Sequence, residues 1–545
     1  MKWYYLSSVA ALTLATSITS AAHAQSKLME VDPTLVEENQ PAAAPAAKPS
    51  KKTKAVKSAK IVKGPAVAPT PAWIDAITID GYIEGGMALN FNQPFNKLNW
   101  GHLYTDRANW PTFNGALMTV QRPLDPKAEG YDFGFKLQGM VGEDMRYNHY
   151  MGILDYAIRS RTQIGPIEAN VLAHLPWTSP ISEGGVDLKL GMFVTYNGAE
   201  VIPAKDNLFY SHSYIFNFGP FIHTGAMVTT HVKPWLDVYT GVTSGVNMSI
   251  GWPGDNNAAA AFHGGLGFNL LDGNLTILAI THTGPENPRQ TDPLGVGWPI
   301  GFTGTPFTPG GWPPPTTAGW PFNQGGFGVP GACACNVSTA IRSFNNITTT
   351  WKATENLTLI TDMSFMLESG WNPSSFGLPQ KAWNAANAIT GTGFWGTAPA
   401  YPMGARAFGI AQYASYKIND IFKVNARAEF FRDNNNFFVS AFPGYFDSVN
   451  LFHGFWCPSC ISQNLGTGLY ANRPIYSGTS YLAFTLGMTI TPELPKLPVI
   501  TGLILRPELR WDTSVNGTAP FFNRNGLSSS QGMFNMDVIV PFTIL

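Results

Sequence analysis

The sequence predicts an all-β fold: a transmembrane antiparallel β-barrel of about 16 strands, with short periplasmic turns and long extracellular loops. The first observation is composition, because only 13% of the residues are charged while 13% are aromatic and 55 are glycine. Soluble proteins average about 25% charged residues. The second is that no run of about 18 apolar residues follows residue 24, so no helix is expected to cross a bilayer. The third is that long and short connections alternate between strand-like stretches.

The N-terminus has the features of a secretory signal peptide. Lys2 precedes an apolar stretch over residues 6–20, and Ala22-His23-Ala24 provides a small-x-small cleavage pattern. We therefore expect residues 1–24 to be removed on export and to take no part in the fold.

Residues 25–75 form a different kind of segment, rich in Ala, Pro and Lys, with no aromatic residue before Trp73. Such a segment buries too little apolar surface to fold alone, so it is predicted to be a disordered periplasmic linker. Its lysines permit two interpretations: a weak contact with an anionic partner such as a cell-wall polymer, or a plain solvated spacer. The barrel is predicted to occupy residues 76–545.

The first half of the barrel alternates long connections with short turns. The turn at Lys233-Pro234 is two residues long, and Asp272-Gly273 is a hairpin turn that favours positive φ. The first eight predicted strands cover residues 78–90, 113–121, 131–141, 167–175, 186–195, 222–232, 235–244 and 260–271.

The second half repeats this rhythm. Its predicted strands cover residues 275–283, 340–353, 357–367, 404–418, 421–432, 479–491, 503–512 and 533–545. An even number of strands in which every second connection is long is typical of outer-membrane barrels, and a soluble β-sandwich has no reason to keep that asymmetry.

The stretch at residues 503–512 has the clearest strand pattern. Successive side chains of a strand point to opposite faces. In a barrel the apolar face contacts lipid and the charged face lines the lumen. One face carries Arg506, Glu508, Arg510 and Asp512, and the other carries Leu505, Pro507, Leu509 and Trp511.

Six short segments resemble those of a known family. They are KLGMF at 189–193, NLFYSHSY at 207–214, FNFG at 216–219, HTG at 223–225, RAEFFRD at 427–433 and RPELRWD at 506–512. Taken in this order, the chain resembles the outer-membrane β-barrel porins of the OmpL-like porin 2 family over about residues 81–542. The resemblance implies a channel for small solutes and does not define which solutes pass.

Two features depart from that family. The chain ends on Leu545, whereas barrels of this class usually end on an aromatic residue, so Phe542 is the candidate for that role. The loop at 284–337 is also longer and richer in Gly, Pro and Trp than the resemblance implies.

The third long loop, residues 196–221, is the predicted constriction, because the third loop of general porins folds inward and the narrowest charged ring sets selectivity. The alternative is a merely solvated loop. Its charged or titratable candidates are Glu200, Lys205, Asp206 and His212.

The opposing wall of the lumen carries charges of both signs, so strong ion selectivity is not indicated. These charges either face the solute path or simply neutralise one another across neighbouring strands. The wall candidates are Arg427, Glu429, Arg506, Glu508, Arg510 and Asp512.

Four cysteines fall in two long loops on the same predicted side: Cys333, Cys335, Cys457 and Cys460. In an exported protein disulfides are the expected state, although the pairing is open. A four-thiolate metal site is disfavoured by the short Cys-x-Cys spacing. We therefore predict no metal and no cofactor.

No catalytic motif is evident: the chain has no Gly-x-Ser-x-Gly, no His-Glu-x-x-His and no phosphate-binding loop. The net charge of −1 argues against a nucleic-acid partner. The leading hypothesis is an outer-membrane porin, not an enzyme, whose partners are membrane lipid and the small hydrophilic solutes or ions that diffuse through it. The alternatives are a surface binding or structural barrel with a blocked lumen, and a barrel enzyme. Sixteen-stranded general porins are often trimers, so a homotrimer is one option.

Overall fold

The computed structural model describes residues 73–125, 128–150, 153–154, 161–250, 259–286, 341–368, 405–434, 438–441, 478–495 and 497–545. None of the helices in these ranges is long and apolar enough to cross a membrane. The Cys333, Cys335, Cys457 and Cys460 disulfide candidates lie outside the described residues, as do residues 1–72, which hold the predicted signal peptide and nearly all of the predicted linker.

Sixteen strands of the described chain form one closed antiparallel barrel, and two more form a small separate hairpin. The hairpin consists of β16 (Phe521–Asn523) and β17 (Gly526–Ser528), in the connection before the last barrel strand. The barrel strands are β1 (Thr78–Asn90), β2 (Pro111–Arg122), β3 (Asp132–Gly142), β4 (Gln163–Leu175), β5 (Val186–Val194), β6 (Ile222–Lys233), β7 (Leu236–Thr243), β8 (Ala261–Leu270), β9 (Leu275–Pro285), β10 (Ile341–Lys352), β11 (Leu357–Glu368), β12 (Ala405–Lys417), β13 (Phe422–Asp433), β14 (Thr479–Ile490), β15 (Ile504–Ser514) and β18 (Ser530–Thr543).

Few helical elements accompany the barrel in the described residues. The α-helices are α1 (Tyr214–Phe218) and α2 (Phe438–Ala441), each about one turn long. Short 3-10 helices occur at Trp73–Ala76, Asp144–Tyr147, Ala204–Asp206 and Leu271–Gly273.

The ring closes between its first and last strands. Asp80 on β1 lies opposite Thr543 on β18, and Asn90 lies opposite Met533. Every other barrel strand pairs with the barrel strands that precede and follow it in the chain. A closed ring leaves no unpaired sheet edge, which is what a β-structure in lipid requires.

The predicted alternation is confirmed in β13. Asn425, Arg427 and Glu429 are buried on the inner side, while Ala426 and Ala428 are exposed on the outer side. The same alternation runs along β15, where all four charged residues are buried and Leu509 and Trp511 are exposed. The outer face is therefore apolar, as contact with lipid requires.

Exposed aromatic rings collect at the short-turn end of the barrel, where Trp and Tyr suit a membrane–water interface. This belt contains Tyr131, Trp177, Trp235, Trp351 and Tyr416. Trp73, in the predicted linker, also lies here and donates a hydrogen bond from Nε1 to the carbonyl oxygen of Phe133, 2.8 Å away. The last residues of that predicted linker therefore belong to the folded part.

The predicted count of 16 strands is confirmed, but some boundaries move. β4 begins at Gln163, four residues before the predicted start, and runs through Pro166. Next to that proline β4 has a bulge: Gln138 and Gly139 of β3 pair with Glu168 and Pro166, which leaves Ile167 as the extra residue. Such a bulge accommodates a residue without an N–H. Pro166 therefore lies inside β4 and does not mark its start. The turn at Gly273 has the expected positive φ, +85°.

Candidate functional site

The connection between β5 and β6, residues 195–221, enters the lumen, and we call it the inward loop. Arg427 on β13 lies eight strands from β5 in the ring, which is directly across the barrel. Its Nη1 nevertheless donates a hydrogen bond of 2.7 Å to Oε1 of Glu200 in the loop. The prediction that this third loop folds inward is thus confirmed in its geometry.

The six wall charges, Arg427, Glu429, Arg506, Glu508, Arg510 and Asp512, form what we call the charged wall. Its arginines bind carbonyl oxygens of the inward loop. Nη1 of Arg506 lies 2.7 Å from the carbonyl oxygen of Ala204 and 2.8 Å from that of Asn207. Nη1 of Arg510 lies 2.6 Å from the carbonyl oxygen of His212. These carbonyl groups have no strand partner, so the guanidinium groups satisfy them.

The carboxylates of the charged wall accept the loop's amide N–H groups. Glu508 accepts from Tyr210 at 3.0 Å and from Ser211 at 3.2 Å. Glu429 accepts from Ile215 at 3.2 Å. The wall therefore recognises the backbone of the inward loop with both signs of charge, an arrangement that buries all six wall side chains to 2% exposure or less.

Glu200 is the centre of a second set of contacts within the inward loop. Its carboxylate accepts hydrogen bonds from Tyr413 Oη at 2.8 Å and from the Ser213 amide at 3.1 Å, besides that from Arg427. His212 Nδ1 lies 2.6 Å from Oε2. Burial alone would raise the pKa of Glu200, but Arg427 and His212 outweigh it and lower that pKa to about 2. Glu200 is therefore ionised at neutral pH.

His212 contributes packing as well as a hydrogen bond. Its ring stacks on Phe216 with centroids 4.2 Å apart and an interplanar angle of 19°. Burial lowers its pKa from the ordinary 6.5, although the Glu200 carboxylate acts in the opposite direction. The imidazole is thus neutral at pH 7, with Nδ1–H as the donor to Glu200.

The wall charges also pair with one another and with neighbouring strands. Arg506 on β15 lies directly opposite Asp537 on β18 and binds its carboxylate through Nε and Nη2. Arg510 Nη2 lies 2.8 Å from Asp512, and Tyr214 Oη donates to Asp512 at 3.2 Å. Mutual neutralisation across strands, the alternative for these charges, is present alongside their contacts with the loop.

The four constriction candidates divide into two pairs. Glu200 and His212 are buried in the wall contacts, with 8% and 5% exposure. Lys205 and Asp206 are only half-buried and form an ion pair of 3.2 Å at the tip of the inward loop. The tip is fixed by Tyr82 of β1, whose Oη accepts the Ala204 amide at 2.9 Å.

Electrostatics link this tip to β3 of the barrel wall. Burial raises the pKa of Asp206, while Lys205 and, more weakly, Lys136 on β3 act to lower it. The side chain of Lys136 keeps 19% exposure and pairs with Glu168 at 2.8 Å. Lys136, Lys205 and Asp206 are therefore inner-side charges that retain contact with solvent.

Residues outside the predicted set also hold the inward loop. Asp362 on β11 accepts the Ala199 amide at 2.9 Å, and Asn346 on β10 accepts the Gly198 amide at 2.9 Å. The two-residue period of a strand places Asp362 on the inner face of β11. Its inward orientation could therefore be predicted from the sequence, but its contact with Ala199 could not.

Two wall glycines make room for the loop. A Cβ on Gly86 would lie 2.6 Å from the Tyr210 ring, and one on Gly409 would lie 2.5 Å from Ile215. No sequence signal identifies such glycines, because the approaching side chain is remote in the chain.

Aromatic rings of the first long loop and of the inward loop pack inside the barrel. Trp100, Tyr104 and Tyr214 are 3% exposed or less, which excludes them from a membrane-interface girdle, whereas Trp110 is exposed. Tyr214 stacks on Phe431 of the wall with centroids 5.8 Å apart. These rings form the apolar part of the inward loop's contact.

Comparison with known proteins places these features in a family. The family model described as "Putative beta-barrel porin-2, OmpL-like" matches residues 76–542. No similar sequence was found among the curated proteins.

Similar solved structures include three from other bacteria. The outer-membrane channel DcaP of Acinetobacter baumannii is 8% identical, with a TM-score of 0.42 over 86% of this chain and 97% of that chain. An anion-selective porin from Comamonas acidovorans is 8% identical, with a TM-score of 0.42 over 86% of this chain and 99% of that chain. OprB of Pseudomonas putida is 11% identical, with a TM-score of 0.42 over 86% of this chain and 94% of that chain.

The family match extends over most of the chain and coincides with the closed barrel, which begins at Thr78 and ends at Thr543. The expected outer-membrane location and channel character follow from it. The chain belongs to the OmpL-like porin-2 family of outer-membrane β-barrel porins.

Proposed function

We propose that this porin passes small hydrophilic solutes or ions by passive diffusion, through the part of the lumen that the inward loop leaves open. The observation that carries the proposal is the division of the lumen charges. The charged wall is covered by the loop, whereas the side chains of Lys205 and Asp206 at the loop's tip keep 17% and 12% exposure, and that of nearby Lys136 keeps 19%. Charges that retain water are the ones a permeating ion meets.

The expected selectivity is weak, because the tip carries one charge of each sign. Lys205 and Asp206 pair at 3.2 Å and largely cancel at long range. Glu508, by contrast, is only 2% exposed beneath the loop. We therefore infer that reversing the tip charge alters selectivity directly, while reversing a wall charge acts by displacing the loop.

The test is single-channel conductance of the refolded protein in a planar bilayer, with a salt gradient to measure the reversal potential. Stable ohmic steps are expected from the wild type. Lys205→Glu should shift the reversal potential toward cation preference. The matched control is Lys352→Glu, an exposed lysine at the short-turn end of β10. A shift of the same size in both variants would remove the tip from the solute path.

A folded barrel without conductance would contradict the proposal and favour the alternative, a surface binding or structural barrel with a blocked lumen. The family match favours the porin role over that alternative.

Four finer expectations belong to the same proposal. Residues 1–24 are a cleaved signal peptide and residues 25–72 a periplasmic linker with weak cell-wall contact, which N-terminal mass analysis and peptidoglycan co-sedimentation would test. Cys333, Cys335, Cys457 and Cys460 form disulfides, which thiol counting would test. The porin assembles as a homotrimer, which native mass spectrometry in detergent would test.

A further inference from the structure

Three histidines converge at the long-loop end of the lumen. They are His223 on β6, His263 on β8 and His282 on β9, and all three are 1% exposed or less. His263 and His282 lie directly opposite each other in the register of β8 and β9. One ring nitrogen from each of the three residues lies within 4.8 Å of the others.

Two of the rings are oriented by hydrogen-bond acceptors behind them. Nδ1 of His223 lies 3.0 Å from the carbonyl oxygen of Gly245, and Nε2 of His282 lies 2.9 Å from the Glu286 carboxylate. In both rings the nitrogen next to the acceptor is the N–H donor, so the other ring nitrogen carries the lone pair. Metal-binding histidines are held by such a carbonyl or carboxylate, which fixes the tautomer and raises the ligand's basicity.

Two ring nitrogens of this cluster are buried and have no hydrogen-bond partner in the described part of the chain. They are Nδ1 of His263 and Nδ1 of His282. Nε2 of His263 accepts the Tyr196 amide at 3.3 Å, so binding of an ion at Nδ1 requires this long contact to break and the ring proton to move to Nε2. Buried polar atoms without partners are uncommon and call for a ligand or another explanation. For two neighbouring imidazoles, one bound ion would satisfy both nitrogens.

The donor set determines which ion fits. Three imidazoles suit Zn²⁺, Cu²⁺ or Ni²⁺, whereas Ca²⁺ and Mg²⁺ require oxygen ligands. A tetrahedral zinc ion holds its nitrogens at about 2.0–2.1 Å and therefore about 3.4 Å from one another. Since the nitrogens here lie within 4.8 Å of one another, binding requires the three rings to move closer together.

We propose that His223, His263 and His282 bind one divalent transition-metal ion of the zinc class, with Glu286 as a positioning residue. The cluster lies beside the first residue of the inward loop, where Thr195 Oγ1 is 3.2 Å from Nε2 of His223. The site therefore joins three barrel strands to the first residues of the loop that crosses the lumen.

The test is isothermal titration of ZnCl₂ into the full-length refolded barrel, with the cysteines alkylated so that thiols cannot compete. One high-affinity zinc per chain is expected. Replacing one of three ligands in His282→Gln should weaken binding by at least about 100-fold, and Glu286→Gln should weaken it by about 10- to 100-fold. The control is His174→Gln, a partly buried histidine on β4 that pairs with Asp187 outside the cluster and should leave the affinity unchanged.

A second measurement uses the wild type alone and does not depend on a variant folding. The electron paramagnetic resonance spectrum of one bound Cu²⁺ per chain should show signal splitting from three imidazole nitrogens. No zinc binding by the wild type, equal affinity in His282→Gln, or a copper spectrum dominated by oxygen ligands would each overturn the proposal and leave the cluster as packed, neutral histidines. Addition of MgCl₂ in large excess should not displace the zinc; displacement would contradict an imidazole site.

Discussion

Replacing Glu200 by Gln should destabilise the folded porin by about 3 kcal/mol at pH 7. The Glu200 pKa of about 2 lies below its ordinary value of 4.5 because Arg427 and His212 outweigh the effect of burial. At about 1.4 kcal/mol per tenfold change, that difference corresponds to about 3 kcal/mol of stability carried by the ionised carboxylate. The Arg427 side chain, 0% exposed, would also lose its buried carboxylate partner, a change that costs about 3–5 kcal/mol in other proteins.

The direction of the pKa shift determines how the stabilisation by Glu200 changes with pH. A carboxyl whose pKa is lower in the folded state stabilises the fold above its unfolded pKa, and the stabilisation disappears as pH falls from about 4.5 through about 2. The wild type and Glu200→Gln should therefore differ most at neutral pH and converge near pH 2.

The assay is equilibrium unfolding in guanidinium chloride between pH 2.5 and 7, followed by tryptophan fluorescence in lipid vesicles. Glu355→Gln, on the exposed turn between β10 and β11, is the matched control and should change the free energy of unfolding little at any pH. A loss below about 1 kcal/mol at pH 7, or a loss that persists unchanged in acid, would refute an ionised, paired Glu200.

Three further variants test the docking of the inward loop. Gly409→Val places a side chain where a Cβ already lies 2.5 Å from Ile215, so it should cost about 1–3 kcal/mol in unfolding and alter single-channel conductance. Arg506→Ala leaves the buried Asp537 without its guanidinium and should cost about 3–5 kcal/mol in the same unfolding assay. Glu508→Gln weakens the contacts with two loop amides. It should therefore increase current noise in planar bilayers while the reversal potential stays nearly constant.

The glycine and arginine variants each have a control on the same chain. Gly139→Ala should be tolerated, since the nearest atom to its added Cβ is 3.6 Å away. Arg524→Ala removes an exposed guanidinium from the turn between β16 and β17 and should leave stability nearly unchanged. A large reversal-potential shift in Glu508→Gln would show that this carboxylate faces the solute path. Equal stability of Arg506→Ala and Arg524→Ala would contradict the role given to Arg506.

The barrel could be predicted from sequence because its signal is local. Period two along residues 503–512 identified which side chains of β15 face inward, and the structure buries Arg506 and Asp512 as expected. The missed elements were local exceptions: β4 continues through Pro166 because it bulges at Ile167, and β16–β17 is too short to show a period.

The partners of the charged wall could not be predicted. The same alternation that places Glu508 inside the barrel says nothing about the amides of Tyr210 and Ser211, which are about three hundred residues away in the chain. In an empty lumen, wall charges would line an open path. Here they are buried instead, because the inward loop has no strand partners and its N–H and C=O groups must be satisfied by other groups.

The span of the inward loop across the barrel's diameter also fixes an order of assembly. Its anchoring residues, from Glu200 to Ile215, bind groups on β13 and β15, which belong to the last part of the chain. These contacts join residues 214 to 298 positions apart, so they can form only when β13 and β15 are in place. The inward loop therefore ties the first half of the chain to strands from its last part, and a defect in either partner leaves the loop without its anchors.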